Sequence, residues 1–220
     1  MSKFGDIYLS WRKGKGHSRH LVGVIKQNAT EGIYFRYFEA EKLKKATLDG
    51  FQNYTEFPDL NKTYTEGVID IFKQRLFKSE RSDYQDFLDF WNIPIKYKDD
   101  TLHILAHTQG LVPTDNFEFL ADFNATKDLK FVSEIAGLTY TKVDSNALEL
   151  EQELIWKKNP TTHDKFQVDI YSKDNILLGQ VKKVHSKVFY SKHGGSLKIK
   201  VKSLEKNGFL KRCFIEITTK

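Results

Sequence analysis

The stretch "WKKNPTTHDKFQVDIY", residues 156–171, decides how the last part of the chain is read. The bulky Trp156 leads into a polar bend, and the bend ends on an alternating apolar run, the pattern of strand, turn and strand. Pro160 fixes φ, and Asn159, Asp164 and the threonines can bond to nearby backbone, so part of the bend is turn geometry. A turn does not need Asn159, Thr161, Thr162, His163, Asp164 and Lys165 all together. The surplus of polar groups marks a candidate binding loop.

Working outward, "KFVSEIAGLTYT" (130–141), "ALELEQELIWKK" (147–158), "ILLGQVKK" (176–183), "SLKIKVKSLEKN" (196–207) and "RCFIEITT" (212–219) alternate or end at turn residues. They read as strands, with a helix only around "KKVHSKVFY" (182–190). Short strands that close on one another, with a helix at one end, describe a small β-barrel over 128–220. Charge is divided the same way. Residues 1–127 hold 18 Lys+Arg and 18 Asp+Glu, whereas 128–220 hold 17 and 11, so the net charge of +6 lies wholly in the C-terminal part. From Lys182 to Arg212 there are ten basic residues and one acid, Glu205. That excess suggests a polyanionic partner; the plainer alternative is a solvated lysine-rich face.

The front of the chain predicts a mixed α+β domain over 1–127. "DIYLSW" and "HLVGVIKQ" flank a glycine-rich hairpin turn, "RKGKGHSR", and "GIYFRYF" continues the strand pattern. Helices are expected at "EAEKLKKATLDGF", "VIDIFKQRLF" and "RSDYQDFLDFWNI", the last capped by Ser82. "TLHILAHTQG" and "NFEFLADF" read as strands. A boundary is placed in "NATKDLK", residues 124–130. The fold class is therefore α+β, with two domains.

Several classes of chemistry find no support. The single Cys213 excludes an intrachain disulfide and a cysteine-rich zinc site. His103 and His107 are four apart, which would share a helical face, yet the surrounding "TLHILAHT" reads as a strand and no HExxH frame or cysteine ligand accompanies them, so a metal site is not expected. There is no Walker-type phosphate loop and no GxSxG elbow. Neither catalysis nor a cofactor is indicated. No apolar run approaches the roughly 20 residues that span a bilayer, and "MSKFGDIYLSW" lacks the apolar core of a secretory signal; a cytoplasmic location with no membrane partner is expected.

Three pieces occur in order: Ala136-Gly137-Leu138-Thr139-Tyr140, then Asn159-Pro160 with Asp164 and Val168, then Gly179-Gln180-Val181-Lys182-Lys183. Their order and spacing resemble the HIRAN domain, over residues 130–220. Thr161 and Thr162 stand where asparagines are usual, the loop is one residue shorter, and Phe166-Gln167-Val168 replaces a common Asn-Ala-Ile. The resemblance implies a partly open barrel similar to an OB-fold, binding single-stranded DNA at a free 3′ end. It points to Thr139, Tyr140, Lys158, Asn159, Thr162, His163, Asp164, Lys165, Lys182 and Lys183 as the binding residues. Tyr140 offers a stacking face, Lys182 and Lys183 offer charge for phosphates, Thr162 and His163 can donate to the last phosphate, and Asp164 can accept from a terminal sugar hydroxyl. Equally, Tyr140 can be a core aromatic of the barrel, Asp164 can serve only to cap the turn, and His163 can be a plain turn residue.

"LVGVI", "GIYFRYF", the "FPDLNKTY" loop and "IDIFKQRLFKSERSDY" are similar to the first N-terminal subdomain of HipA-type kinase toxins, without the kinase. Val22, Gly23, Tyr34, Phe35, Phe57, Pro58, Leu60, Phe72 and Leu76 are expected to build its core. That half would contact a protein partner. The alternative function is accordingly a regulatory protein-interaction component of a toxin–antitoxin or phage-defence system; a nuclease is the least supported reading.

Overall fold

The computed structural model describes residues 4–14, 16–30, 32–144 and 146–219. Lys15, inside the expected glycine-rich turn, lies outside them. The fold is α+β, and the chain divides into two compact units, Phe4–Asp122 and the residues from Phe123 onward. No helix among the described residues is long and apolar enough to cross a membrane.

In the first unit, β1 (Phe4–Trp11), β2 (His20–Asn28), β3 (Gly32–Tyr37), β4 (Thr63–Tyr64) and β5 (Phe117–Phe123) form one sheet in the order β4-β3-β2-β1-β5. Helices α1 (Ala40–Leu48), α2 (Val68–Lys73), α3 (Tyr84–Phe90) and α4 (Thr101–Thr108) accompany it. The core is a chain of rings: Phe35 to Phe57 at 5.0 Å, Phe57 to Phe72 at 5.3 Å and Phe72 to Phe119 at 4.7 Å between centroids. Gly23 makes room for it, since a Cβ there would stand 2.7 Å from the Phe35 ring. Of the expected core residues, Val22, Gly23, Phe35, Phe57 and Phe72 are buried, Tyr34, Leu60 and Leu76 are half-buried, and Pro58 is exposed. For Pro58 the cause is local. The Tyr37 hydroxyl donates to the Phe57 carbonyl at 2.7 Å, which turns Phe57 inward and leaves Pro58 outside.

Two local expectations are corrected. Residues 101–108 are helix α4 rather than a strand: the Asp100 carboxylate accepts from the His103 N–H at 2.9 Å, capping the first turn. The imidazoles of His103 and His107 consequently stack, 4.4 Å apart. Helix α3 begins after Asp83 rather than Ser82, with no side-chain cap bond; Asp83 pairs instead with Arg81 at 2.9 Å.

The second unit contains β6 (Lys130–Glu134), α5 (Leu138–Thr141), β7 (Glu153–Lys158), β8 (Val168–Tyr171), β9 (Leu177–Gln180), β10 (Leu197–Asn207) and β11 (Phe209–Thr219). The strands form one curled antiparallel sheet in the order β6-β11-β10-β7-β8-β9. Its ends meet. Ala136, just past β6, and Gln180, the last residue of β9, exchange two backbone hydrogen bonds of 2.8 Å each. The β10–β11 hairpin bends through register shifts at Val201/Ser203 and Glu205/Lys206, which gives the long pair the curvature a closed sheet needs. Phe131, Leu154, Val168, Ile170, Leu178, Ile199, Val201, Ile215 and Ile217 fill the interior from alternate strand positions. A 3₁₀ segment, His185–Tyr190, stands where an α-helix was expected and packs Phe189 against Trp156 at 4.9 Å. "GLTYT" is α5, not strand: Gly137 has φ +83°, and the Thr141 hydroxyl donates to the carbonyl of Leu138 at 2.8 Å, which closes the turn. The strand expected from residue 147 starts only at Glu153.

Cys213 lies in this interior, where burial, aided by the charge of Glu134, pushes its thiol up to about 12. So little thiolate exists near neutral pH that a thiol reagent is expected to leave native protein unmodified and to titrate one thiol after denaturation. Rapid labelling of folded protein would contradict that burial.

Candidate nucleic-acid interface

The bend between β7 and β8 is held by its own backbone. The Asn159 N–H donates to the Gln167 carbonyl at 3.0 Å and the Thr161 N–H to the Asp164 carbonyl at 2.9 Å. Asp164 caps the turn, as one reading of the sequence allowed: its Oδ1 accepts from the Phe166 N–H at 3.0 Å. Among the described residues no hydrogen bond engages Oδ2, which leaves that oxygen able to accept from a ligand. Asn159 is less available. Its amide donates to Asp169 at 2.6 Å, and the Gln167 amide donates to the other oxygen of Asp169 at 2.9 Å, so the buried Asp169 carboxylate is satisfied from both sides.

Around this turn the structure gathers Lys158, Asn159, Thr162, His163, Asp164, Lys165 and Lys183. The Lys183 ammonium donates to the carbonyl of His163 at 3.3 Å, tying the strand-exit segment to the bend. Thr162, His163 and Lys165 are exposed. Among the described residues Lys158, Lys165 and Lys183 have no carboxylate partner, and all three are exposed.

Thr139 and Tyr140 come from the other side. Tyr140 is 71% exposed, so its ring is a surface group and not a core aromatic. Its helix α5 is anchored to β9, because the Thr141 hydroxyl also donates to the Leu178 carbonyl at 3.1 Å. Gln180 links the two groups: its backbone pairs with Ala136 on one side and with Asp169 on the other. Two strand spacings, about 10 Å, therefore separate the segment leading into α5 from the strand leading out of the bend.

The role expected of Lys182 needs correction. It is 3% exposed, and its ammonium lies 3.4 Å from Glu134, which also receives Arg212 at 2.9 Å. A side chain so placed helps anchor the seam and does not reach a phosphate. Much of the basic run also has an acid nearby, though on more exposed side chains. Lys198 lies 3.6 Å from Glu153, Lys200 3.9 Å from Glu151, Lys202 3.5 Å from Glu216 and Lys211 3.1 Å from Glu205. The charge that looked continuous along the chain is largely answered by acids brought from other strands.

Two residues at the bend escaped the sequence reading. Phe166 and Tyr190 meet edge to face, 5.4 Å between centroids, and the Tyr190 hydroxyl donates to the Gln167 carbonyl at 2.8 Å. Burial raises the pKa of that phenol, and the charges of Asp164 and Asp169 raise it further. The available signal was an aromatic residue inside an otherwise polar bend. Among the described residues no group of three or more His, Cys, Asp or Glu side chains is placed to hold a metal ion.

No family model matches the chain, and no curated protein matches it closely enough to be counted a relative. Among solved structures, the chain is similar to the crystal structure of the HIRAN domain of human HLTF, at 15% identity over 41% of this chain and 76% of that one, with a TM-score of 0.33.

Proposed function

We propose that this protein is a non-catalytic DNA-binding protein whose β-barrel unit recognises single-stranded DNA at a free 3′ end. The observation that carries the reading is what the fold gathers at one bend: three exposed lysines without acidic partners among the described residues, a carboxylate with an unengaged oxygen, and two half-buried aromatic rings. Lys158, Lys165 and Lys183 neutralise successive phosphates, and Tyr140 stacks on a base. Thr139, Thr162 and His163 supply exposed polar edges along the path. Asp164 accepts a hydrogen bond from the terminal 3′ hydroxyl, a donor that a 3′ phosphate lacks, and its charge repels that phosphate. Binding is recognition without turnover.

Fluorescence anisotropy with otherwise identical single strands tests this. A strand ending in a 3′ hydroxyl is expected to bind about 10-fold more tightly than one ending in a 3′ phosphate, the equivalent of one charge-assisted hydrogen bond. Asp164→Asn, which keeps an oxygen for the Phe166 N–H, is expected to erase most of that ratio. Equal, weak and salt-insensitive binding of both strands would remove the nucleic-acid reading altogether.

A further inference from the structure

Phe166 comes from the bend and Tyr190 from the end of the 3₁₀ segment, yet the fold brings their rings to 5.4 Å at an interplanar angle of 75°. Both are half-buried. The bond from the Tyr190 hydroxyl to the Gln167 carbonyl fixes the orientation of that ring. Each ring also carries an ammonium: Lys158 stands 5.0 Å from the Tyr190 centroid and Lys165 stands 5.2 Å from that of Phe166. Neither lysine has a carboxylate partner among the described residues. A half-buried aromatic pair whose only task was to stiffen the bend would not need an unneutralised cation over each ring. Aromatic faces interleaved with cations are instead what a single strand requires, because each nucleotide presents a flat base and a phosphate together.

We propose that Phe166 and Tyr190 form a nucleobase-stacking platform, with Lys158 and Lys165 as its phosphate contacts, so that the preferred ligand is a run of unpaired nucleotides rather than a lone 3′-terminal one. The inference rests on the single-strand reading given above. A base entering the platform covers a ring face, and the ammonium over that face swings to the phosphate of the same nucleotide. Tyr140, on the far side of Gln180, receives a different base of the same strand. Duplex ends, whose bases are already stacked and paired, bind less well.

The test compares an oligothymidylate with an abasic strand of equal length, which keeps the phosphates and removes the bases. Phe166→Leu, which keeps bulk and loses the ring, is expected to weaken oligothymidylate binding roughly 10-fold and to leave abasic binding within about twofold. Lys183→Ala is expected to weaken both ligands alike. Phe166→Trp, which retains a ring, keeps the preference for the strand with bases, and it decides the matter should the leucine variant fold poorly. If Phe166→Leu weakens both ligands equally, or neither, or if Phe166→Trp loses the preference, the platform is wrong. The single-strand reading then still stands, provided Lys183→Ala lowers affinity. If the unmodified protein binds neither strand at low salt, platform and reading fall together.

Discussion

Gly179→Ala is expected to lower the melting temperature of the barrel unit by about 15 °C. The cause is local and severe. A Cβ on Gly179 would stand 2.3 Å from the carbonyl oxygen of Ala136 and 2.8 Å from the Ile135 side chain, and the residue has φ +148°. The obstructing atom is backbone, so no side-chain rotation relieves it; the two ends of the sheet must part by more than an ångström. Overpacking of this kind, added to an unfavourable φ, costs about 3 kcal/mol, and one kcal/mol shifts a domain of this size by several degrees. Gly195→Ala provides the control in the same unit, since nothing lies within 4 Å of a Cβ there and its φ is ordinary. That variant should melt within about 2 °C of the parent. Thermal melts followed by circular dichroism distinguish the two, and a Gly179→Ala protein as stable as the parent would mean that the sheet closes less tightly than described.

The second large effect concerns affinity. Replacing Lys158, Lys165 and Lys183 together by alanine is expected to weaken single-strand binding about 100-fold at about 0.1 M salt, and to reduce the slope of log affinity against log salt by about 2. Both figures follow from releasing three fewer counterions, each contributing roughly 0.7 to the slope for a single strand. The informative comparison is Lys198→Ala with Lys200→Ala. These two lysines belong to the densest basic run of the sequence, yet each faces a glutamate, Glu153 and Glu151. Their loss should change affinity by no more than about twofold, because the glutamate beside each lysine offsets the field it presents to a phosphate. If the β10 pair proved as damaging as the triple change, the contact surface would lie along β10 and the bend would be only a scaffold.

That comparison also shows which parts of the molecule could be read from the sequence. Strand alternation in "KIKV" and "FIEI" is a local property, imposed by a pleat that sends neighbouring side chains to opposite faces, and β10 and β11 follow it. Helix α4 is different. Residues His103 to Thr108 are all buried, so no polar face recurs at the helical period and the segment imitates a buried strand. The signal that was present, Asp100 in capping position ahead of His103, is short and easily outweighed. "GLTYT" fails for the opposite reason: threonine and tyrosine favour strands, but the left-handed Gly137 turns the chain before a strand can form. Charge is the plainest case. Ten basic residues in one run are visible in one dimension, whereas Glu134, Glu151, Glu153 and Glu216, which answer several of them, arrive by strand pairing. Likewise Phe166 and Tyr190 become neighbours only because the 3₁₀ segment returns to the bend.

The bridge between Ala136 and Gln180 carries a mechanical implication. Among the described residues two backbone bonds join the rims there, beside the Thr141–Leu178 bond and the Lys182–Glu134 pair, whereas β10 and β11 are laced along nearly their whole length. This short join is one place where the cylinder can open, and the groups proposed to meet the ligand flank it, Tyr140 on one bank and Lys183 with the bend on the other. A strand of DNA laid across would act as a suture: each nucleotide it engages on both banks makes the gap harder to open, so occupancy and rigidity of the cylinder rise together.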